Sequence, residues 1–318
     1  MTANGAAPPP AAPPQAPALG ASYRLLGRFH VAGVFWYRFP YWGFGRLPEW
    51  TDRVTVPFFT AVFWIALRRI RGAIAANLEA VLGPASLPAR WRRALRTMDS
   101  FGWCLAERYR YLATPERFHA AIEGEENWRN AFDGGRGAVV VTAHIGPWEN
   151  AVRFGASDAK RRIHVVREKE LDPRAQEFVS ELVSRSGAGY TTHFADDDPT
   201  LGLELVKALR AGDIVALQGD RPRTGGQSHQ VEVFGRPMQF PIGPAALARA
   251  AEVPIVPVFN FREGRFRLRS VARPVIHVDR TADRDRDLAS AVERLAADIE
   301  WAIRRSPHQW FCFRRLWR

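Results

Sequence analysis

With 318 residues and 47% hydrophobic content, the chain is long enough to bury a sizeable core, as one large domain or as one domain with an accessory. Its 45 Lys plus Arg against 33 Asp plus Glu leave a net charge of +12, which points to acidic partners: anionic lipid head groups, an acidic carrier protein or nucleic acid. Only two cysteines are present, Cys104 and Cys312; they exclude a disulfide framework or a cysteine metal set and read as buried apolar side chains in a reducing compartment.

Residues 1–22 carry no charge and are dominated by Ala and Pro, a composition that predicts a disordered or polyproline-like tail and lacks the basic start and unbroken apolar run of a secretory signal. Tyr23 to Trp50 is rich in aromatic residues interspersed with arginines, and the chain as a whole holds 11 Trp and 20 Phe, side chains favoured at membrane interfaces. Val54 to Leu67 is the most hydrophobic window and runs straight into Arg68, Arg69 and Arg71. It falls short of the roughly 20 residues that a spanning helix needs. The expectation is an element dipping into one leaflet and anchored by arginines, with a true span or a buried core helix as alternatives. Residues 23–72 are therefore read as a membrane-associating region and 73–318 as the catalytic domain.

Between Pro88 and Leu112 the apolar positions Trp91, Leu95, Met98, Phe101, Leu105 and Tyr109 recur every three or four residues, predicting an amphipathic helix with Arg92, Arg93 and Arg96 on its other face. From Gly137 onward strands and helices alternate. The expected elements are a strand over Ala138 to Thr142, a helix from Trp148, a strand over Ile163 to Val166, helices over Arg174 to Arg185 and Pro199 to Arg210, and a strand over Ile214 to Leu217. There follow a strand over Val231 to Phe234 with a Gly-Arg-Pro turn, a helix over Pro244 to Ala251, a strand over Ile255 to Asn260, a hairpin about Glu263-Gly264, and a last helix over Asp287 to Arg304. That alternation is the signature of an α/β core. Asp198-Pro199 reads as a helix cap with a first-turn proline, so Asp196-Asp197-Asp198 is taken as a helix start and not a metal site. No internal repeat is present.

The chemistry concentrates where the buried run Ala138 to Thr142 ends. His144 and Glu149 follow it with four residues between, at the carboxyl end of a strand, where sites in α/β sheets gather. An imidazole takes up a proton near neutral pH, and a carboxylate on its other nitrogen fixes the tautomer and stabilises the imidazolium. The pair can activate a hydroxyl or water without a serine or cysteine nucleophile. The plainer alternative makes His144 a helix-start residue and Glu149 a complement to the helix dipole, helped by Pro147. The remaining histidines lack metal spacing and read as surface or satisfied core. Thr224-Gly225-Gly226-Gln227-Ser228 matches no phosphate-loop pattern and reads as a mobile loop near the site.

The block His144-Ile-Gly-Pro-Trp-Glu149 resembles the His-x-x-x-x-(Asp/Glu) block of the lipid A late (lauroyl and myristoyl) acyltransferases, within the glycerol-3-phosphate acyltransferase-like superfamily. Arg71 with Asn77-Leu78-Glu79, Gly212-Asp213 through Gln218-Gly219-Asp220-Arg221, Val233-Phe-Gly-Arg-Pro237, Gly243-Pro244, Pro254-Ile-Val-Pro-Val258 and His308-Gln-Trp-Phe311 are similar to further blocks of that family, in its order. Pro147 departs from it, standing where the family often has a polar residue. The resemblance implies an α/β fold with a central, mostly parallel or mixed sheet flanked by helices, preceded by amino-terminal membrane-associated helices. It further implies His144 and Glu149 as a catalytic dyad, and Arg167, Asp220 and Arg221 as substrate-binding residues. The donor would be an acyl carrier protein thioester, the acceptor a hydroxyl of an anionic glycolipid such as a lipid A precursor, and the location the cytoplasmic face of the cell inner membrane. No cofactor and no metal are implied. The competing readings are a thioesterase or esterase using the same dyad on water, a lysophospholipid or aminolipid acyltransferase, and a basic nucleic-acid-binding or membrane-binding protein, although no nucleic-acid motif is present.

Overall fold

The computed structural model describes residues 33–151, 161–185, 189–195, 200–223 and 225–317. The Ala/Pro tail, the start of the aromatic stretch, the continuation of the helix expected from Trp148 beyond residue 151, and the Asp198-Pro199 cap lie outside those residues.

Among the described residues four helices come first: α1 (Phe35–Arg46), α2 (Asp52–Ala66), α3 (Arg68–Leu82) and α4 (Leu87–Ala113). Pro88 sits in the first turn of α4, where its missing N–H costs nothing. The expected Pro88 to Leu112 periodicity is realised in part: Met98 and Tyr109 are buried, Trp91, Phe101 and Leu105 half-buried and Arg92 and Arg96 exposed, but Leu95 is exposed and its neighbour Ala94 is buried instead. A small core joins α3 to α4 through Ile74, Ala75, Leu78, Ala94 and Met98. Asn77 of α3 clamps the carboxyl-terminal segment, its amide donating to the carbonyls of Cys312 (3.2 Å) and Arg314 (2.8 Å) while its oxygen accepts from Leu316 N.

The α/β body contains β1 (His119–Glu123), α5 (Glu125–Asn130), β2 (Ala138–Thr142), β3 (Ile163–Arg167), α6 (Pro173–Arg185), β4 (Tyr190–Phe194), α7 (Leu201–Arg210), β5 (Ile214–Gln218), β6 (Ser228–Val233), β7 (Arg236–Pro241), α8 (Gly243–Ala251), β8 (Ile255–Gly264), β9 (Arg267–Ala272) and α9 (Arg284–Arg305). Seven strands form one sheet in the order β1-β9-β8-β2-β5-β3-β4. Its pairings are parallel except for the β8–β9 hairpin, so the expected mostly parallel α/β sheet flanked by helices is present. Strand β2 is buried along its whole length, as an apolar run in the middle of a parallel sheet should be. Val139 and Val141 face the core built with α7, α8 and α9, whereas Ala138 and Val140 face the core that contains Trp128 of α5.

The departures have local causes. Strand β1 carries exposed side chains throughout and has no buried apolar alternation to announce it. The turn expected at Gly-Arg-Pro falls one step earlier, at Phe234-Gly235, both in the left-handed region (φ 57° and 67°). Such a two-residue turn closes a tight antiparallel hairpin, and Arg236 and Pro237 thereby become the start of β7. Tyr190–Phe194 forms an edge strand that is not among the expected elements. Residues Trp148–Ala151 form a 3-10 turn.

Among the described residues no helix is long and apolar enough to cross a membrane, so the spanning alternative for Val54 to Leu67 has no support. Helix α2 turns Val54, Phe58, Val62 and Ile65 outward and Asp52, Val56 and Thr60 inward.

Candidate active site

Strands β2 and β5 are parallel neighbours in a register that sets Thr142 beside Gln218. The residue two steps beyond each strand end is His144 on one and Asp220 on the other, and sheet geometry thus brings them together. His144 Nδ1 lies 2.8 Å from Asp220 Oδ1. Asp220 is buried, and while burial raises its pKa, the charges of His144 and Arg221 and the hydrogen bonds to His144 outweigh that and hold the carboxyl well below its usual range. Arg221 completes the group, with Nε 3.5 Å from Asp220 Oδ2 and Nη2 donating to Phe311 O (3.3 Å).

Glu149 was expected on the imidazole, and here the structure corrects the reading. Its carboxylate lies 2.6 Å from Arg108 Nε of α4, and the carboxylate on Nδ1 is Asp220. The physical reason is the chain path: Gly146 takes a left-handed conformation (φ 53°), and the 3-10 turn that follows points Glu149 across to the helical wall. With Nδ1 engaged by Asp220, Nε2 is the nitrogen that can accept a proton from a substrate hydroxyl. The loop is anchored from behind by Phe311 N donating to His144 O (2.8 Å), Gly146 N to Gln309 O (2.8 Å), and the bridge between Ile145 and Trp310. The expected carboxyl-terminal block His308 to Phe311 is therefore a backstop for the histidine loop.

His144 opens on a cavity of about 1630 Å³ bounded by α1, α2, α4 and the carboxyl ends of β2, β3 and β5. Its apolar wall includes Phe59, Phe63, Met98 and Phe101. Arg167 and Arg221 also line it, so both arginines singled out in the sequence border the same space as His144. Arg167 ends β3, which pairs with β5, and its Nη2 donates to Glu170 Oε1 (3.2 Å). Glu170 also accepts from Tyr37 OH (2.7 Å); burial and that bond push the Tyr37 phenol far above its usual pKa. Arg108 and Tyr37 also line the cavity and were missed in the sequence, because each lies inside an amphipathic helix with nothing to distinguish it from ordinary helix surface.

His164 Nδ1 is 3.0 Å from His193 Nε2, and its Nε2 is 3.2 Å from Asp213 Oδ2, the satisfied arrangement expected for histidines outside the site; His308 departs from it, its buried Nδ1 having no hydrogen-bond partner. Among the described residues no group of His, Cys, Asp or Glu could hold a metal ion. Cys104 and Cys312 are buried and unpaired with each other; Cys104 borders the cavity, but burial raises both thiol pKa values and so disfavours the nucleophilic thiolate.

One pH effect follows from Asp220. Its folded pKa lies below the unfolded value of about 3.9. Its contribution to stability is therefore complete above that value and is lost as pH falls towards the folded pKa. Acid-unfolding curves of Asp220→Asn should show a weaker loss of stability below about pH 4 than the wild type. Parallel acid limbs would sink that assignment.

A cavity with an aromatic and aliphatic wall suits a hydrocarbon chain better than a compact polar metabolite, and a carboxylate-backed histidine lining it can activate a hydroxyl for attack on an acyl group. The class these features define is an acyltransferase. The model of the bacterial lipid A biosynthesis acyltransferases matches residues 28–318, and the chain belongs to that family.

Two phosphatidylinositol mannoside acyltransferases of Mycobacterium tuberculosis, from strains CDC 1551 / Oshkosh and ATCC 25618 / H37Rv, are 28% and 27% identical to it over 199 residues. The match covers 59% of this chain and 60% of each relative, so the chain spans only that part of their length. Among solved structures, the 1-acyl-sn-glycerophosphate (LPA) acyltransferase PlsC from Thermotoga maritima superposes with a TM-score of 0.36 at 14% identity, covering 78% of this chain and 98% of that one.

Proposed function

We propose that the protein transfers a fatty acyl chain from an acyl carrier protein thioester to a hydroxyl of a lipid A precursor or related anionic glycolipid, with His144 as general base. The observation that carries this reading is the His144–Asp220 hydrogen bond, with His144 lining a largely apolar cavity. His144 Nε2 takes the hydroxyl proton as the acceptor oxygen attacks the thioester carbonyl. The tetrahedral intermediate collapses with expulsion of the thiolate, which recovers the proton from the imidazolium. Asp220 holds the tautomer and balances the transient cation. Arg167 and Arg221 are assigned to the anionic parts of donor and acceptor, for which a planar guanidinium is suited. The intermediate's oxyanion needs donors, and these two arginines are the assigned candidates.

The test is mass spectrometry of total lipid and lipid A from cells making the wild-type protein or His144→Ala at matched levels. A species heavier by one acyl chain, found only with wild type, is the expected result and identifies acyl length and acceptor together. Purified protein with acyl carrier thioesters separates the hydrolytic alternative: free fatty acid released at the full rate without acceptor would replace transfer by thioester hydrolysis.

The same reading locates the protein at the cytoplasmic face of the inner membrane. Trp50, Val54, Phe58 and Ile65 are 60–71% exposed on one side of the amino-terminal helices. Arg46, Arg53, Arg68 and Arg69 are exposed around them, while Asp52 turns inward to Arg110 and Glu49 is paired with Arg117. An apolar face ringed by arginines suits an anionic bilayer, each cation adding about 1 kcal/mol near such a surface. Phe58→Ser/Ile65→Ser is expected to lower sedimentation with anionic vesicles by at least about tenfold, from the apolar area withdrawn. Unchanged sedimentation would remove this face from membrane binding.

A further inference from the structure

The Arg108–Glu149 ion pair takes no part in the proton transfer described above, yet it joins the helical wall of the cavity to the loop that carries His144. Arg108 comes from the last third of α4 and Glu149 from the 3-10 turn just beyond Gly146. Their atoms are 2.6 Å apart, with side chains only 27% and 32% exposed. Burial lowers the Arg108 pKa, but Glu149, Tyr109 and Glu170 beside it outweigh burial and leave it raised; its guanidinium also lies 5.7 Å from the centre of the Tyr109 ring. On the other side of the loop, Trp148 stands 5.4 Å from His144 and 5.9 Å from Phe311, ring centre to ring centre. The loop is thus gripped from behind by residues 309–311 and from the cavity side by Arg108.

We propose that Arg108 is a positioning residue that holds the Glu149 turn against α4 and so fixes the aim of His144 Nε2 into the cavity. The proposal rests on His144 being the base. It gives Glu149 a task distinct from Asp220: Glu149 receives the latch, while Asp220 accepts the hydrogen bond from His144 Nδ1–H and stays ionised. The pair is made at the cavity wall, where charges are partly withdrawn from water, so loss of one partner leaves the other without its counter-ion. Because α4 also packs against α1 and α2, the latch ties the helices of the exposed apolar face to the catalytic loop.

The experiment uses the full-length protein with an acyl carrier thioester and a glycolipid acceptor, comparing Arg108→Met, Arg108→Lys, Glu149→Gln and the double variant Arg108→Met/Glu149→Gln. Each of Arg108→Met and Glu149→Gln is expected to lower kcat about 10- to 100-fold, the scale of a misplacement near 1 Å, with KM for both substrates nearly unchanged. The double variant should lose no more than either single one, and Arg108→Lys should recover most of the rate. A second readout needs no turnover: the rate at which diethyl pyrocarbonate modifies His144, followed by peptide mass spectrometry, should rise severalfold in both single variants. A loss confined to KM for the acceptor would make Arg108 a substrate ligand and overturn the latch, as would unchanged His144 labelling. Labelling that changes as expected in a protein inactive towards every thioester would uphold the latch and bring down the transfer reading instead.

Discussion

His144→Ala is expected to lower acyl transfer by about 10²- to 10⁴-fold, the usual worth of a positioned acid-base group, with the fold and the exposed apolar face intact. The side chain lines the cavity and is not part of either sheet core, so its removal leaves space next to existing space and unseats little packing. Asp220→Asn should reproduce most of the loss. Asparagine keeps the volume but carries no charge to balance the imidazolium, and its amide can present a donor where the carboxylate accepted the Nδ1 proton, which favours the wrong tautomer. Glu149→Gln should cost less, through loop position alone, because its carboxylate is 2.6 Å from Arg108. Steady-state kinetics of the three purified variants rank the roles directly. If Glu149→Gln proved the more damaging carboxylate substitution, with Asp220→Asn close to wild type, the imidazole partner would be Glu149.

The second large effect is expected at Gly146. A Cβ there would lie 2.3 Å from the carbonyl oxygen of Asn260 in β8 and 2.8 Å from Gln309 Oε1, on a backbone with φ of +53°. The left-handed conformation alone costs a non-glycine residue about 1–3 kcal/mol, and here the obstacle is the backbone of a central strand, which cannot rotate away. Gln309 cannot yield freely either, since Oε1 accepts from Arg262 N and Nε2 donates to Arg262 O, both at 2.8 Å. Gly146→Ala is therefore expected to lower the thermal midpoint by several degrees and to abolish most activity, since the displaced loop carries both His144 and Glu149. Calorimetry alongside kinetics checks both halves. A full thermal midpoint with full activity would mean that the loop has slack that the close approach to β8 denies.

Much of this site could be read along the chain. The buried run before His144, the four-residue spacing to Glu149, the strand-like segment ending at Arg167 and the Asp220-Arg221 pair after β5 are local patterns, and local patterns report which residues stand at strand ends. The same holds for α4, α8 and α9, whose apolar periodicity matches the helices that form. What such patterns cannot report is who stands beside whom. The hydrogen bond between His144 and Asp220 joins residues 76 positions apart, and it exists because β2 and β5 pair in parallel with Thr142 level with Gln218. Nothing within either segment states that register. Glu149 looked like the partner because it was near in sequence, but a left-handed Gly146 and a short 3-10 turn send it to Arg108. Edge strands β1 and β4 were invisible for a related reason: β1 is exposed along its length and β4 lacks a buried apolar alternation, and such segments become strands only when a neighbour supplies hydrogen bonds. Residue chemistry and periodicity thus determined the α/β class and placed His144 at a strand end, while the resemblance pointed to Arg167 and Arg221, which border the same cavity. The tertiary structure alone decided which carboxylate serves the histidine, because that choice depends on strand register and loop direction, quantities set by long-range packing.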